Sequence, residues 1–228
     1  MKISGLQKLT LLDYPGHTAC TVFLSGCNFR CPFCHNYELA TGKSNANISE
    51  DELFEFLKTR SAVLDGVAIT GGEPCINKEL IPFIERVRSL GFMVKLDTNG
   101  AYPFVLEILL SRHLVDYVAM DIKNSEKKYA ATCGLSFIDF AQIRKSIDFI
   151  IRSDIPYEFR TTVVDELHDT SDFTSIGELI HGAKSYYLQS FVDRESVPFS
   201  GFHSPSHEKL NECKEAVQSF VQNVYIRE

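Results

Sequence analysis

The stretch GVAITGGEPCINKELIPFIERVRSLGFMVKLD, Gly66–Asp97, forms one complete strand–helix–strand unit. Gly66–Thr70 is a short apolar run that reads as a strand, and Phe92–Asp97 is a second. Between them Leu80, Phe83, Val87 and Leu90 recur at helical spacing on one face, and Gly91 stops the helix. Two strands joined through a helix lie parallel, with a right-handed crossover.

The same unit recurs on both sides. Upstream, Thr18–Leu24 (TACTVFL) is the first strand, followed by a helix at Glu50–Arg60 opened by the capping box Ser49-x-x-Glu52. Downstream, a helix near Pro103–Arg112 leads to the strand Asp116–Ile122, and a helix carrying Phe140, Ile143, Ile147 and Ile150 leads to Tyr157–Val164. Phe173, Ile176, Leu179 and Ile180 mark the next helix, and Ser185–Val192 is the sixth strand. Ser204-Pro205 is expected to start a helix with proline at its first position, carrying Leu210, Cys213, Val217 and Phe220. Val224–Ile226 adds a short final strand. Six units suit an open doubly wound sheet or a barrel-like one. A full eight-unit barrel takes ~250 residues, so the expected fold is α/β, a partial (βα)6 TIM-like barrel with outer helices, in a single domain over 1–228. In either arrangement the chemistry belongs at the carboxyl ends of the strands.

An apolar fraction of 44% and a charged fraction of 23% are those of an ordinary globular protein. No apolar stretch approaches the ~20 residues that cross a bilayer. MKISGLQKLTLLDYPG lacks the apolar core and cleavage site of a signal peptide, so a cytoplasmic protein without structural disulfides is expected. The net charge of −7, with basic residues scattered and no run longer than Lys127-Lys128, argues against a nucleic-acid surface. A protein or a small molecule is the expected partner.

Directly after the first strand comes SGCNFRCPFCHN, Ser25–Asn36. Its three thiols, Cys27, Cys31 and Cys34, lie close enough in sequence to converge on one iron–sulfur cluster. A cubane needs four ligands, so three cysteines leave one iron open, and an open metal site can bind and activate a substrate. A zinc site of the three cysteines plus His35 is the competing reading, although His35 adjoins Cys34 and neighbours seldom reach one ion comfortably. A disulfide cannot use all three.

CNFRCPFC resembles the C-x3-C-x2-C signature of the radical S-adenosylmethionine enzymes. The resemblance extends from about Gly5 to the C-terminus. GLQKLTLLDYPG, FLSGCNFRCPFCHN and the terminal VYIR make it most similar to the activating proteins of anaerobic ribonucleoside-triphosphate reductase, within the glycyl-radical-enzyme activases. The resemblance implies a [4Fe-4S] cluster on Cys27, Cys31 and Cys34 that cleaves S-adenosylmethionine. It also implies flavodoxin or ferredoxin as electron donor, and a partner enzyme whose glycine loses a hydrogen. Other glycyl-radical partners remain open. So do a small-molecule enzyme similar to 7-carboxy-7-deazaguanine synthase and a zinc-stabilised binding module. The chain departs from the activases at one point: many carry DGPG-x-R before the first strand, whereas here the residues are Asp13-Tyr14-Pro15-Gly16-His17-Thr18. Pro15-Gly16 still makes a type II turn, but the difference bears on the partner.

The remaining motifs all end strands. Gly71-Gly72-Glu73-Pro74 follows the second; two glycines let a ligand approach the backbone, and Glu73 supplies an acceptor. It resembles the family's GGEP motif, which receives the methionyl amino end. Asp97-Thr98-Asn99 ends the third strand, and Asp121-Ile122-Lys123 ends the fourth. If these strands are neighbours, two close carboxylates repel unless a cation or proton separates them; alternatively each caps a helix or turn. The resemblance implies a monovalent cation on Asp97 and Asp121 beside the S-adenosylmethionine carboxylate, with Lys123 pairing to that carboxylate and Arg160 making a further polar contact. Phe33 and the backbone of His35 would flank the adenine, and Gln189 either lines the pocket or sits half-exposed on its strand. Cys20 and Cys213 read as core residues; Cys75 and Cys133 have no assigned role. No cysteine occurs between Asn36 and Ala68, so one cluster is expected.

Overall fold

The computed structural model describes residues 1–44 and 48–227. It contains one eight-stranded sheet: β1 (Ile3–Thr10), β2 (Ala19–Leu24), β3 (Gly66–Gly71), β4 (Met93–Thr98), β5 (Tyr117–Asp121), β6 (Tyr157–Val163), β7 (Tyr186–Ser190) and β8 (Val224–Arg227). Spatial order follows chain order, and from β2 to β8 every pairing is parallel. The helices are α1 (Tyr37–Thr41), α2 (Glu50–Arg60), α3 (Leu80–Ser89), α4 (Pro103–Ser111), α5 (Glu126–Thr132), α6 (Phe140–Arg152), α7 (Thr170–Leu179) and α8 (His207–Gln218). The sheet curves without closing, so β1 and β8 are its two ends. This is the partial barrel expected, with all strands from β2 onward delivering their carboxyl ends to one mouth.

Successive strand residues point to opposite faces. Ile69, Leu96, Met120, Phe159 and Leu188 are fully buried, and so are Ile84, Ile147, Phe173 and Ile176 on the outer helices; together they make the core between sheet and helices. The alternate positions face the barrel interior, and there the residues are Lys95, Asp97, Tyr117, Glu158, Arg160, Tyr187, Gln189, Tyr225 and Arg227. Charge fills a space that bulky aliphatic side chains occupy in closed barrels.

Three features differ from the sequence reading. β1 pairs antiparallel with β2 and was not legible: ISGLQKLT has no clean alternation, and its register shifts twice against β2. The short helices α1 and α5 also went unread. The helix expected from Ser204-Pro205 begins instead at His207. The Ser206 hydroxyl accepts from Lys209 N at 3.1 Å and caps it, while Ser204 Oγ donates to the Phe191 carbonyl at 2.6 Å. The turn at Pro15-Gly16 forms as expected, with Gly16 at φ +78° and His17 N donating to Tyr14 O at 3.1 Å. Among the described residues no helix is long and apolar enough to cross a membrane.

Candidate active site

β2 ends at Leu24 and feeds the cysteine loop, whose shape is set by four backbone hydrogen bonds to three segments: α1, the turn after β3 and the end of α5. Gly26 N donates to Leu39 O (2.8 Å), Cys27 N to Ala40 O (3.0 Å), Glu73 N to Gly26 O (2.8 Å) and Arg30 N to Cys133 O (2.8 Å). Gly72 lies flat against this loop: a Cβ on it would stand 2.0 Å from the Gly26 carbonyl oxygen, so only glycine fits. Gly71, at φ +113°, is equally constrained by Leu24.

Cys27, Cys31 and Cys34 all line one cavity of about 270 Å3 at the mouth of the barrel. Burial pushes the Cys27 thiol up to about 12 and raises Cys34 as well, while Phe29 N donates to Cys27 Sγ at 3.3 Å. Cys31 is lowered to about 7 by a hydrogen bond with the Cys133 thiol, which burial holds protonated. Three soft donors facing one space, with main-chain support, suit a cubane cluster with an open iron. The zinc alternative fits less well. His35 Nε2 is 2.6 Å from the Val192 carbonyl oxygen, and its ring stacks on Phe191 at 5.5 Å and 2°. Among the described residues no three His, Cys, Asp or Glu donors are drawn to one point, so the three thiols share the cavity without converging, and the choice between cubane and zinc rests on His35 being turned away. Cys75 is buried with Sγ 3.7 Å from Thr98 Oγ1, and Cys20 and Cys213 are core residues, as expected.

The GGEP and DTNG motifs are tied to each other through Glu73. Its carboxylate is fully buried and accepts from Thr98 Oγ1 (2.8 Å), Asn99 N (2.6 Å) and Cys75 N (3.0 Å). Burial raises its pKa against the pull of those donors. Asn99 Nδ2 then reaches Asn28 Oδ1 at 2.8 Å and Cys27 Sγ at 3.8 Å. Glu73 thus ties the ends of β3 and β4 together and, through Asn99, steadies the cysteine loop.

Beyond the cysteines lies a charge network. Arg160 touches both aspartates: its Nε is 2.9 Å from Asp121 Oδ1 and its Nη1 is 3.5 Å from Asp97 Oδ2. Lys95 contacts Asp97, and Lys123 Nζ is 2.9 Å from Asp121 Oδ2. The place between the carboxylates that the resemblance gave to a monovalent cation therefore holds the Arg160 guanidinium. Burial by itself would raise both aspartates, but Arg160 and then the neighbouring lysine outweigh it and hold both below the usual carboxylate range. Deeper in the barrel Arg227 clamps buried Glu158 with two bonds of 3.1 and 2.9 Å, and Tyr117 OH donates to Glu158 at 3.1 Å. Four cations meet three carboxylates here, and of these Lys123, Arg160, Asp97 and Asp121, two of each sign, line the cavity.

Of the residues read from the sequence, all but Glu73 and Pro74 line this cavity. Phe29, Arg30, Asn36, Tyr37, Ala40, Thr70 and Thr162 line it too and went unread. Thr162 had a signal, since it lies two residues beyond Arg160 on the same strand face. Lys95, whose side chain is 3% exposed, had one as well: a lysine inside an apolar strand two residues before Asp97.

The radical SAM superfamily profile matches residues 21–173. A Methanocaldococcus jannaschii protein, provisionally named a glycyl-radical enzyme activating enzyme, is 32% identical over 99% of this chain and 95% of its own length. A Clostridium pasteurianum pyruvate formate-lyase-activating enzyme is 27% identical over 92% of this chain and 87% of its own. A crystallised domain of pyruvate-formate lyase-activating enzyme from Bacteroides vulgatus superposes with a TM-score of 0.58 at 19% identity, covering 72% of this chain and 99% of that domain. This last likeness concerns the fold.

Proposed function

The chain belongs to the radical SAM superfamily, whose cofactors are a [4Fe-4S] cluster and S-adenosylmethionine, and from that premise we propose that it activates a glycyl-radical enzyme, anaerobic ribonucleoside-triphosphate reductase. One observation supports the chemistry above others: Cys27, Cys31 and Cys34 share a single cavity with the paired charges of Asp97, Asp121, Lys123 and Arg160. The target class draws support from the full-length likeness to a relative named for glycyl-radical activation. The choice of the reductase rests on GLQKLTLLDYPG, FLSGCNFRCPFCHN and VYIR.

When bound, the cluster and S-adenosylmethionine supply a 5′-deoxyadenosyl radical that takes a hydrogen atom from a partner glycine and leaves the unpaired electron there. The chain's own residues bind and orient. Cys27, Cys31 and Cys34 hold the cluster. Lys123, which spends one donor on Asp121, offers its others to the S-adenosylmethionine carboxylate, and Arg160 adds charge behind it. With S-adenosylmethionine bound, Gly71-Gly72 would receive its amino end and Phe33 with the His35 backbone would flank its adenine, and Gln189 lines the same cavity. Reduced flavodoxin or ferredoxin is the electron donor in this reading.

The test is anaerobic iron and sulfide analysis, then dithionite with S-adenosylmethionine, then electron paramagnetic resonance of the reductase. About four irons per chain, 5′-deoxyadenosine and a glycyl signal support the proposal. Cleavage that survives Cys27→Ala, Cys31→Ala or Cys34→Ala would remove the cluster assignment. Turnover of a metabolite with no partner present would replace the activase reading with a small-molecule enzyme.

A further inference from the structure

Cys133 has no part in holding or cleaving S-adenosylmethionine, yet it lies against the cysteine loop. It is fully buried and closes α5 as the C-cap residue. A buried free cysteine is ordinarily a small core hydrophobe, as Cys20 and Cys213 are here. Cys133 differs in what it touches. Its carbonyl oxygen accepts from Arg30 N at 2.8 Å, and its thiol makes a hydrogen bond with the thiol of Cys31, the next residue of the loop. Among the described residues Cys31 lines the cavity and Cys133 does not, so Cys133 meets Cys31 from behind the cavity wall.

The approach is built into the fold at several points. Gly134 adopts φ +68°, and a Cβ on it would stand 2.2 Å from the Arg30 carbonyl oxygen, so only glycine lets this segment lie flat against the loop. Gly134 N donates to Ala131 O at 3.0 Å and Cys133 N to Tyr129 O at 3.0 Å, which fixes the turn that presents Cys133. One helical turn earlier, the fully buried Tyr129 meets Phe29 edge-on with centroids 6.5 Å apart, and its other neighbour is Phe140 at 5.2 Å. Phe29 and Arg30 are the two residues before Cys31. The end of α5 therefore grips the loop at both of them and delivers a side chain to the third. Cys27 is served in a comparable way, by Phe29 N at 3.3 Å and by the Asn99 amide at 3.8 Å from its sulfur.

We propose that Cys133 is a positioning residue for the cluster: its thiol donates a hydrogen bond to the Cys31 sulfur from behind the cavity and raises the reduction potential of the cluster that Cys31 holds. This rests on the cluster reading, and on no choice of partner enzyme. A ligating cysteine is a thiolate with no proton to give, so the hydrogen between the two sulfurs belongs to Cys133. Reduction adds negative charge that the ligand sulfurs share, and a donor on one of them favours the reduced state over the oxidised one. Hydrogen bonds to the sulfurs are among the factors that set the potential of such clusters, and groups behind the ligands orient them as well.

The test compares wild type with Cys133→Ala, which removes the donor, and Cys133→Ser, which keeps a hydroxyl donor in its place. Each full-length chain is reconstituted anaerobically with iron and sulfide. Two quantities are read with no substrate present: iron per chain, and the reduced fraction of the cluster by electron paramagnetic resonance through a redox titration. Iron content is expected to match wild type in both variants. In Cys133→Ala the ratio of reduced to oxidised cluster at a fixed poise is expected to fall about fivefold, the worth of one hydrogen bond, or ~40 mV at ~59 mV per decade. Cys133→Ser stays within about twofold of wild type, because its donor replaces the lost one. A potential in Cys133→Ala equal to wild type overturns the proposal. A fall in Cys133→Ser as large as in Cys133→Ala also overturns it, because packing and not the donor is then at work. Iron content well below wild type in both variants does so too, by placing Cys133 among the ligands or in the folding of the loop. A colourless wild-type chain that takes up zinc overturns the cluster reading itself, and this inference with it.

Discussion

Replacing Arg160 with methionine removes the one cation that touches both site carboxylates. In the wild type its contacts are 2.9 Å to Asp121 and 3.5 Å to Asp97, and the Arg160 side chain is only 14% exposed. The variant leaves two partly buried carboxylates facing each other with one lysine each. Breaking a buried charge network by removing one member costs ~3–5 kcal/mol. For a chain of this size about 1 kcal/mol shifts Tm by ~2–4 °C, so the expected fall is roughly 6–20 °C. The assay is thermal unfolding of the cluster-free chain by circular dichroism, repeated across pH. The sign follows from the depressed aspartates. Unfolded aspartate titrates near ~3.9, so the stabilisation is complete above about pH 4 and is lost as pH falls through the lower folded values. Without Arg160 burial raises the aspartates, so the gap between wild type and variant is widest where both are ionised in the variant and narrows as falling pH protonates them there. Asp97→Asn in the variant background removes one of the facing charges and restores ~1 kcal/mol or more, since groups in one network couple. A Tm within about 1 °C of wild type, or a gap that widens as pH falls, would refute the reasoning.

Other changes read out other parts of the site. Cys75 N and Thr98 Oγ1 donate to one Glu73 oxygen and Asn99 N to the other, so Glu73→Gln sets an amide N–H against at least one of these donors, and a loss of ~1–3 kcal/mol is expected in denaturant unfolding. No change would mean that Glu73 does not tie β3 to β4. Gly72→Ala drives a Cβ into the Gly26 carbonyl; overpacking of ~1–3 kcal/mol and iron content well below wild type after reconstitution are expected. Full loading of that variant would show that the cysteine loop yields easily. His35→Ala removes the bond to Val192 and the stack on Phe191, worth ~1–2 kcal/mol together, so the loop opens about 5–30 times more often. Tryptic cleavage after Arg194 then accelerates by that factor, and an unchanged rate would remove the bridge across the mouth.

Much of this molecule is legible in one dimension. Strand runs such as GVAIT and FMVKLD, and helices such as the one with Phe140, Ile143, Ile147 and Ile150, carry their own period, so the unit count and parallel order follow from the chain alone. Strand ends can be read as well, and chemistry in parallel α/β sheets collects there, so Cys27, Asp97, Asp121 and Arg160 are legible from the sequence as site residues. β1 could not, because a half-exposed strand with two register shifts has no clean period. Nor could the start of α8, where three serines and a proline compete and the tertiary partner of Ser204 decides.

What the chain alone determined is the identity of the reactive groups: three thiols at cluster spacing, two aspartates, a lysine and an arginine at strand ends. What only the tertiary structure decided is who neutralises whom. Glu73, read as a ligand acceptor, is consumed by Thr98, Asn99 and Cys75, while Arg160, read as an accessory contact, stands between Asp97 and Asp121. Lys95, a lysine inside an apolar strand, and Arg227, unremarkable in sequence, complete the network. The reason is distance. Charge pairing in a buried barrel falls off over a few ångströms, and residues dozens of positions apart come within that range only when neighbouring strands fix their register.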